Sequence, residues 1–419
     1  MSTTALALES DAKPASGSSL KTRLRRADRA RRLTAFLLVA PLLLYVLLAF
    51  IVPIGTMLYR AVYDPDISNM VPRTVAALAD WDGKSVPDEP VFAAMAADIK
   101  AGEASNSVGN IGKRINYELP GARSAVIATA RKLRRVREGP YKDAMIDADP
   151  LWSTRDVWVV IKRAATPVTP FYLLQTVDMH FNADGDLVRV PPNDAVFLTV
   201  FVRTLWIAGL VTFATLVLGY PVSFLLASLP PKLRNPLMIL VLLPFFTSLL
   251  VRTTAWVVLL QSHGVVNDTL LALGLITERL QLIFHRSGTL IAMTHIQLPF
   301  TLLPIYSVMA SIPPGLTRAA RSLGATPFTA FRRVYVPQTL PGVGAGCLLT
   351  FILSLGYYIT PALVGGPDDQ MVSSFVAQYM NRELNWGMAS ALGAVLLVIT
   401  LAIYLIYTRI LGVDRVRFG

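Results

Sequence analysis

Cysteine is nearly absent from this sequence: Cys347 stands alone among 419 residues, with only four histidines beside it. A lone thiol cannot close an internal disulfide or supply a cysteine metal cluster, and no HExxH pair offers a zinc site. Charge is scarce too, at 16% Asp, Glu, Lys and Arg against 53% hydrophobic residues. That is too apolar for an ordinary soluble domain and points to an integral membrane protein. There is no Walker A loop: "DGKS" at 82–85 ends like one, but Leu78 stands where the first glycine is required. The chain therefore has no visible means of hydrolysing ATP. No paired carboxylates or Ser/His/Asp arrangement is placed for catalysis inside the membrane.

What is present in abundance is long apolar sequence. Six stretches approach or exceed the roughly 20 residues a helix needs to cross a bilayer core: 33–59, 204–231, 235–261, 287–317, 334–367 and 384–408. None contains an acidic residue. Ion-coupled carriers usually bury Asp or Glu in their spans, so this absence disfavours a secondary carrier. The first stretch is longer than the apolar core of a signal peptide (about 7–15 residues) and lacks a small-x-small cleavage site, so it reads as a retained span.

The net charge of +12 is unevenly placed. Residues 64–194 hold 16 basic and 18 acidic residues, whereas the other 288 hold 23 basic and 9 acidic. A nucleic-acid binder is one reading of the surplus. Positive charge at the cytoplasmic ends of spans is the better one in a chain this apolar. With the basic N-terminal tail (Lys21 to Arg32) in the cytoplasm, the loop with Lys232 and Arg234, the segment 318–343 and the tail with Arg409, Arg415 and Arg417 fall on the same side. Both termini are then cytoplasmic. The reverse orientation breaks the positive-inside rule four times.

The expected organisation is all-α and polytopic, with six transmembrane helices. A basic tail, 1–32, is disordered at its polar start, "SDAKPASGSS". The first span is 33–60. An external soluble insert, 61–195, is α with some β. A five-helix core occupies 196–411, and 412–419 is a cytoplasmic tail. Within the insert, residues 122–136 look helical, "DVWVVIKRA" fits a helix or a strand, and "FNADGDLVRV" carries a hairpin signal. The basic run 131–137 reads as a solvated helix face, with anionic lipid or a partner as the lesser reading.

One arginine interrupts a span: Arg252, in "SLLVRTTAWVV". Either it faces a bundle interior or water, or it snorkels to the interface. Arg203 is better placed to snorkel. Candidate lining of a solute pathway is Phe245, Phe246, Arg252 and Trp256 on the third span, and Tyr357, Tyr358 and Pro361 on the fifth. Aromatic residues in spans also serve as packing.

The segment "RAARSLGATPFTAFRRVYVPQTLPGV", 318–343, lies between two spans with four arginines. "IPPGL" opens a short helix, and Gly324 closes it at a position that needs positive φ. Thr326 and Pro327 restart a second helix as N-cap and first residue. That helix should end near Pro337. The plain alternative is an amphipathic loop that only joins two spans.

The spacing resembles the EAA loop of binding-protein-dependent ABC importer permeases: Glu-Ala-Ala, three residues, Gly, nine residues, Ile-x-Leu-Pro. Here it reads Arg318-Ala319-Ala320, Gly324, then Val334, Val336 and Pro337. Arg318 replaces the family glutamate, and valines replace Ile and Leu. The resemblance covers about half the chain, and "LGYPVSFLLA", "LPFFTSLLVRT" and "ITPALVGGP" look like the spermidine/putrescine-type branch.

The resemblance implies the six-helix type I importer permease fold in a bacterial inner membrane. Loop 312–341 would dock on an ATPase, with Arg318, Ala319, Ala320, Gly324, Ala325, Phe331 and Pro337 coupling. No cofactor binds this chain, and ATP is hydrolysed by the partner. The implied partners are a cytoplasmic ABC ATPase dimer, a second and different permease subunit, a periplasmic solute-binding protein and membrane lipid, with no nucleic acid. The cargo would be a polyamine or related small organic solute. Rival readings are a membrane sensor or scaffold using the insert as receptor, for which the 11 residues after Thr408 leave little output domain, and a secondary carrier.

Overall fold

The computed structural model describes residues 17–411. The tail arginines Arg415 and Arg417 and most of the polar N-terminal stretch lie outside them. The chain divides into two units, 1–57 and 58–419. In the first, α1 (Gly17–Val46) carries the basic residues and the start of the first apolar stretch in one helix. A π turn, Leu47–Ile51, leads into α2 (Val52–Arg60).

After α2 comes a small helical body: α3 (Asp66–Met70), α4 (Pro72–Ala77), α5 (Glu89–Ala104), α6 (Val108–Asn116), α7 (Ala122–Leu133), α8 (Tyr141–Ile146), α9 (Arg155–Ala164) and α10 (Phe171–Gln175). The ambiguous "DVWVVIKRA" is therefore a helix. Its apolar face meets Phe92 and Trp152 through Trp158, with ring centroids 4.6 and 5.4 Å apart. Both buried indoles donate, Trp152 to the Thr129 hydroxyl at 2.7 Å and Trp158 to the Trp152 carbonyl at 3.2 Å. The hairpin forms as β1 (Met179–Phe181) and β2 (Leu187–Arg189), antiparallel with His180 opposite Val188. In the basic run, Arg131, Arg134, Arg135 and Arg137 are exposed.

Arg114 is the charged centre of this body. Its guanidinium donates to Asp64 at 2.5 Å and Glu118 at 2.9 Å, and Arg163 closes on Glu118 at 2.8 Å. Burial disfavours the Arg114 charge, but Tyr172, Glu118 and Asp64 outweigh it and raise its pKa. The Tyr172 hydroxyl donates to Asp64 at 2.9 Å. Burial raises the phenol's pKa, Arg114 opposes, and Asp64 adds to the rise, so the hydroxyl keeps its proton at neutral pH.

An apolar cluster of Phe171 and Tyr172 with Val200, Phe201, Met388 and Leu392 joins this body to the following spans, and other contacts fix it there. Buried Asp178 accepts from the backbone N–H groups of Val196, Phe197 and Leu198 at 2.8–3.1 Å. A carboxylate there satisfies donors that a helix start leaves open and faces its positive dipole end. The Tyr172 ring packs directly on Gly387, where a Cβ would meet it at 2.3 Å. Lys113 donates to the Glu383 carbonyl.

The core is built on α11 (Phe197–Ser228), α15 (Arg286–Ser311) and α18 (Val336–Leu355). Thr301 donates to Thr215 at 2.8 Å and shares a 2.5 Å hydrogen bond with Thr350, linking all three helices. Ser223 bonds the Leu302 carbonyl at 3.1 Å and Ser354 bonds Gln297 at 2.9 Å. Gly342 and Gly346 let α18 touch α15: a Cβ on Gly346 would stand 2.5 Å from the Thr301 carbonyl. Small residues and hydroxyls take this role in membranes because lipid supplies no hydrophobic drive between helices. The sixth span, α21 (Trp386–Leu411), joins α18 through Tyr407 donating to the Gly344 carbonyl.

Among the described residues, six helical segments are long and apolar enough to cross a membrane, but three boundaries differ from the sequence reading. The stretch 235–261 is not one helix. It breaks into α12 (Pro231–Leu242), a 3-10 turn at Leu243–Phe246, and α13 (Leu249–Leu260), followed by α14 (Val265–Ala272). Pro244 lies in that 3-10 turn, and the Ser248 hydroxyl caps α13 by accepting from Val251 N–H at 3.2 Å. The stretch 334–367 ends its long helix at Gly356 and continues as a separate α19 (Ile359–Val364), before α20 (Val372–Asn381).

The third difference is that no helix ends at Pro337. The chain runs on through a π turn, Phe331–Tyr335, into α18. Proline lacks an N–H and its ring crowds the carbonyl four residues back. The wide turn relieves this by sending the Val336 N–H to Phe331, five residues back. The first span uses the same device, with the Val52 N–H bonded to Leu47 just before Pro53.

Two outcomes test these anchors. Gly346→Val should cost about 1–3 kcal/mol by forcing α18 from α15. It should lower the thermal midpoint of the purified protein, whereas Gly209→Ala, with no atom near its Cβ position, should not. Arg114→Ala takes the cation from buried Asp64, which keeps only the Tyr172 hydroxyl, and leaves Glu118 to Arg163 alone; it should cost about 3–5 kcal/mol. Tryptophan emission during denaturant titration reads that loss.

Candidate coupling loop and solute pathway

After the fourth span, α16 (Pro314–Ser322) starts on Pro314 and carries Arg318, Ala319 and Ala320. Gly324 has φ +91°, with its N–H on the Arg321 carbonyl (3.0 Å) and that of Ala325 on the Ala320 carbonyl (3.1 Å). This is the paired bonding of a Schellman turn, and it needs a residue free to take positive φ. Thr326 then caps α17 (Pro327–Ala330), accepting from the Thr329 N–H at 3.2 Å. The elbow is thus specified at both arms by local chemistry.

Most of the elbow faces outward. Arg318, Ala319 and Gly324 are exposed, Ala320 and Ala325 half-buried, and two large apolar side chains stand clear, Leu323 at 89% and Phe328 at 70% exposure. Arg318 forms no ion pair among the described residues; its one hydrogen bond is a long one, 3.4 Å, to the Pro314 carbonyl. Phe331 differs from its neighbours. It stacks on Tyr335 (5.7 Å, 20°), and both rings meet Phe224 of α11 edge-on at 5.4 Å. It therefore anchors the loop to the second span and offers little surface outward. Pro337 is exposed beyond the π turn. The Phe224 contact was not legible in the sequence, since it joins residues over 100 positions apart.

The seven pathway candidates fall into separate places. Arg252 is half-buried, and its Nε and Nη1 have no hydrogen-bond partner among the described residues. It acts electrostatically on His295 and Tyr357. Trp256 donates to His295 Nδ1 at 3.1 Å. So Trp256 and Arg252 come together at His295, which the sequence reading missed, while Tyr357 packs against Ile207, Val211, Met293 and Met371. At the helix break Phe245 packs edge-on against Phe300 and against Phe246, which is largely exposed. Pro361 is buried, while Tyr358 lines a cavity of about 390 Å³ between α19 and α20. Arg203 turns to the Gln370 carbonyl at 3.3 Å.

Residues 219–412 match the family of binding-protein-dependent transport system inner membrane components. The spermidine/putrescine transport system permease protein PotB of Salmonella typhimurium (strain LT2) is 34% identical over 217 residues, which cover 52% of this chain and 75% of that one. PotB of Haemophilus influenzae is 31% identical, with 51% and 76% covered. The chain belongs to this family of ABC importer permeases. The inner membrane ABC transporter permease protein YdcU of Escherichia coli (strain K12) is 34% identical over 257 residues, covering 58% and 78%. A bacterial alginate ABC transporter in complex with alginate pentasaccharide-bound periplasmic protein aligns with TM-score 0.43 and 21% identity, over 51% of this chain and 77% of that one. This permease is accordingly a multi-pass inner-membrane subunit of a binding-protein-dependent importer. Such subunits carry no ATPase site, and ATP is hydrolysed by a partner.

The aromatic anchor has a direct consequence for the permease. Phe331→Ala should loosen the elbow, with trypsin cutting after Arg318 or Arg321 severalfold faster in the mutant; Phe328→Ala, at an exposed ring, should leave the cleavage rate unchanged.

Proposed function

We propose that this permease forms the solute pathway of the importer and that its 312–341 elbow is the part an ATPase dimer grips. The observation that carries the proposal is the elbow's geometry: a capped two-helix projection, apolar at Leu323 and Phe328, fixed to the second span by Phe331. Family membership supports an ATPase and a periplasmic binding protein as partners. Arg318, Ala319, Ala320, Gly324 and Ala325 lie on or beside the gripped surface, while Phe331 and Pro337 transmit from it. ATP-driven closure of the ATPase pair would move α16 and switch the pathway between inward-open and outward-open states.

The positive-inside distribution supports cytoplasmic termini and a periplasmic insert at 61–195, placed to meet the binding protein. A second, different permease chain completes the pathway. The names of the PotB relatives support a polyamine or related small organic solute as cargo. Arg252 and Trp256, joined by His295, and Tyr357 line the pathway beside the helix break at Phe245 and Phe246.

Gly324→Glu tests the grip. It strains a left-handed turn by about 1–2 kcal/mol and sets a bulky charge on the docking face. Membrane insertion should be normal and binding-protein-stimulated ATPase activity lost. Wild-type transport in that variant would remove the coupling role.

A further inference from the structure

The cavity between α19 and α20 is lined by Tyr358, Gln370, Ser374, Phe375, Gln378 and Arg382, among others. On α20 Ser374 and Gln378 stand one turn apart, Arg382 follows at the helix's C-cap, and Gln370 lies just before the helix on extended backbone. Together they make one side of the cavity a hydrogen-bonding wall. Its Ser374 hydroxyl is buried and has no partner among the described residues. Arg382 is exposed and forms no ion pair among them. Tyr358 and Phe375 supply the aromatic sides. A volume of about 390 Å³ holds a small organic molecule.

The charge of the lining is one-sided. No Asp or Glu is among the lining residues, and the nearby Glu383 carboxylate already accepts from the Gln378 amide at 3.4 Å. A diamine or polyamine placed here would find no carboxylate in the wall itself, only Glu383 beside it, while a carboxylate would find the Arg382 guanidinium together with amide and hydroxyl donors. The site also adjoins the buried group of the pathway: Tyr358 lines the cavity, and its neighbour Tyr357 packs among Ile207, Val211, Met293 and Met371 under the influence of Arg252.

We infer that this cavity is a solute subsite for a small organic molecule bearing a carboxylate, held by Arg382, Gln378 and Ser374 between the rings of Tyr358 and Phe375. The inference rests on the permease reading and narrows the cargo away from a bare polyamine.

The test uses the full transporter with Cys347→Ser, so that Ser374→Cys supplies the only thiol of this chain, and two methanethiosulfonate reagents of similar size. One carries a sulfonate, the other a trimethylammonium. Rates are normalised to those with a free thiol in solution. The sulfonate reagent should be favoured by about fivefold or more, as expected beside one unscreened positive charge, and Arg382→Glu should reverse the preference. Labelling should also abolish binding-protein-stimulated ATPase activity. A preference for the cationic reagent, equal rates, or no labelling of either Ser374→Cys or the exposed control Gln378→Cys would overturn the proposal. If Ser374→Cys fails to assemble, Gln378→Cys gives the same comparison. The coupling reading is untouched by any of these results, because it is read from Gly324→Glu.

Discussion

Thr301 occupies the point where three spans meet, and the rest of the core follows from how its hydroxyl and carbonyl are treated. The hydroxyl bonds Thr215 on α11 and Thr350 on α18. The carbonyl leaves room for nothing larger than the hydrogen of Gly346. In lipid an unsatisfied polar group is expensive, so a hydroxyl in the interior must find partners in other helices. Three threonines answer one another, and the helix axes are thereby fixed in register. Ser223 on the Leu302 carbonyl and Ser354 on Gln297 repeat the arrangement along the same interface. The core is held by a chain of small polar contacts that bring backbones close enough for dispersion to act.

The body between the first and second spans obeys the opposite rule. It has an apolar centre of ordinary kind around Trp152, Trp158 and Phe92, and its one buried charge cluster sits where it meets the spans. Arg114 gathers Asp64, immediately after α2, with Glu118 on its own helix, while Tyr172 bonds Asp64 and lies against Gly387 at the start of α21. Asp178 caps α11. A flexible tether would leave these ends independent. Three separate bonding schemes instead make the body continuous with the starts of the second and sixth spans.

Much of this was legible because membrane constraints are strong. Uncharged runs of about 20 residues can do little but span, and Gly324, Thr326 and Pro327 write the elbow directly into the sequence. What was not legible depended on geometry beyond the local window. Pro337 signals a helix end only if the helix keeps its usual pitch; a π turn one residue upstream removes the obstruction. The break at 243–248 hides in a stretch whose average apolarity is unaltered by Pro244 and Ser248. The polar residues of α20 and its C-cap have a readable spacing, Ser374, Gln378 and Arg382, but they lie outside the long apolar stretches. His295 joined Arg252 and Trp256 only once two distant helices were side by side.

The stiff and compliant parts of the core are arranged in a consistent order. From α16 a displacement would pass through a Schellman turn and a threonine cap, both closed by hydrogen bonds, and then through rings of Phe331 and Tyr335 resting on Phe224. Next comes α18, bonded to α15 at Thr350 and to α21 at Gly344. A packed interior of this kind transmits displacement and does not absorb it. The first break along that line is at Gly356, followed by α19, which bonds α13 through Thr360 and Thr253 at 3.2 Å. The second is the turn at 243–248 where α13 begins. Arg252, Tyr357 and Tyr358 lie within a few residues of these two breaks. In the proposed cycle, movement imposed at the elbow would therefore be released beside the groups assigned to the solute.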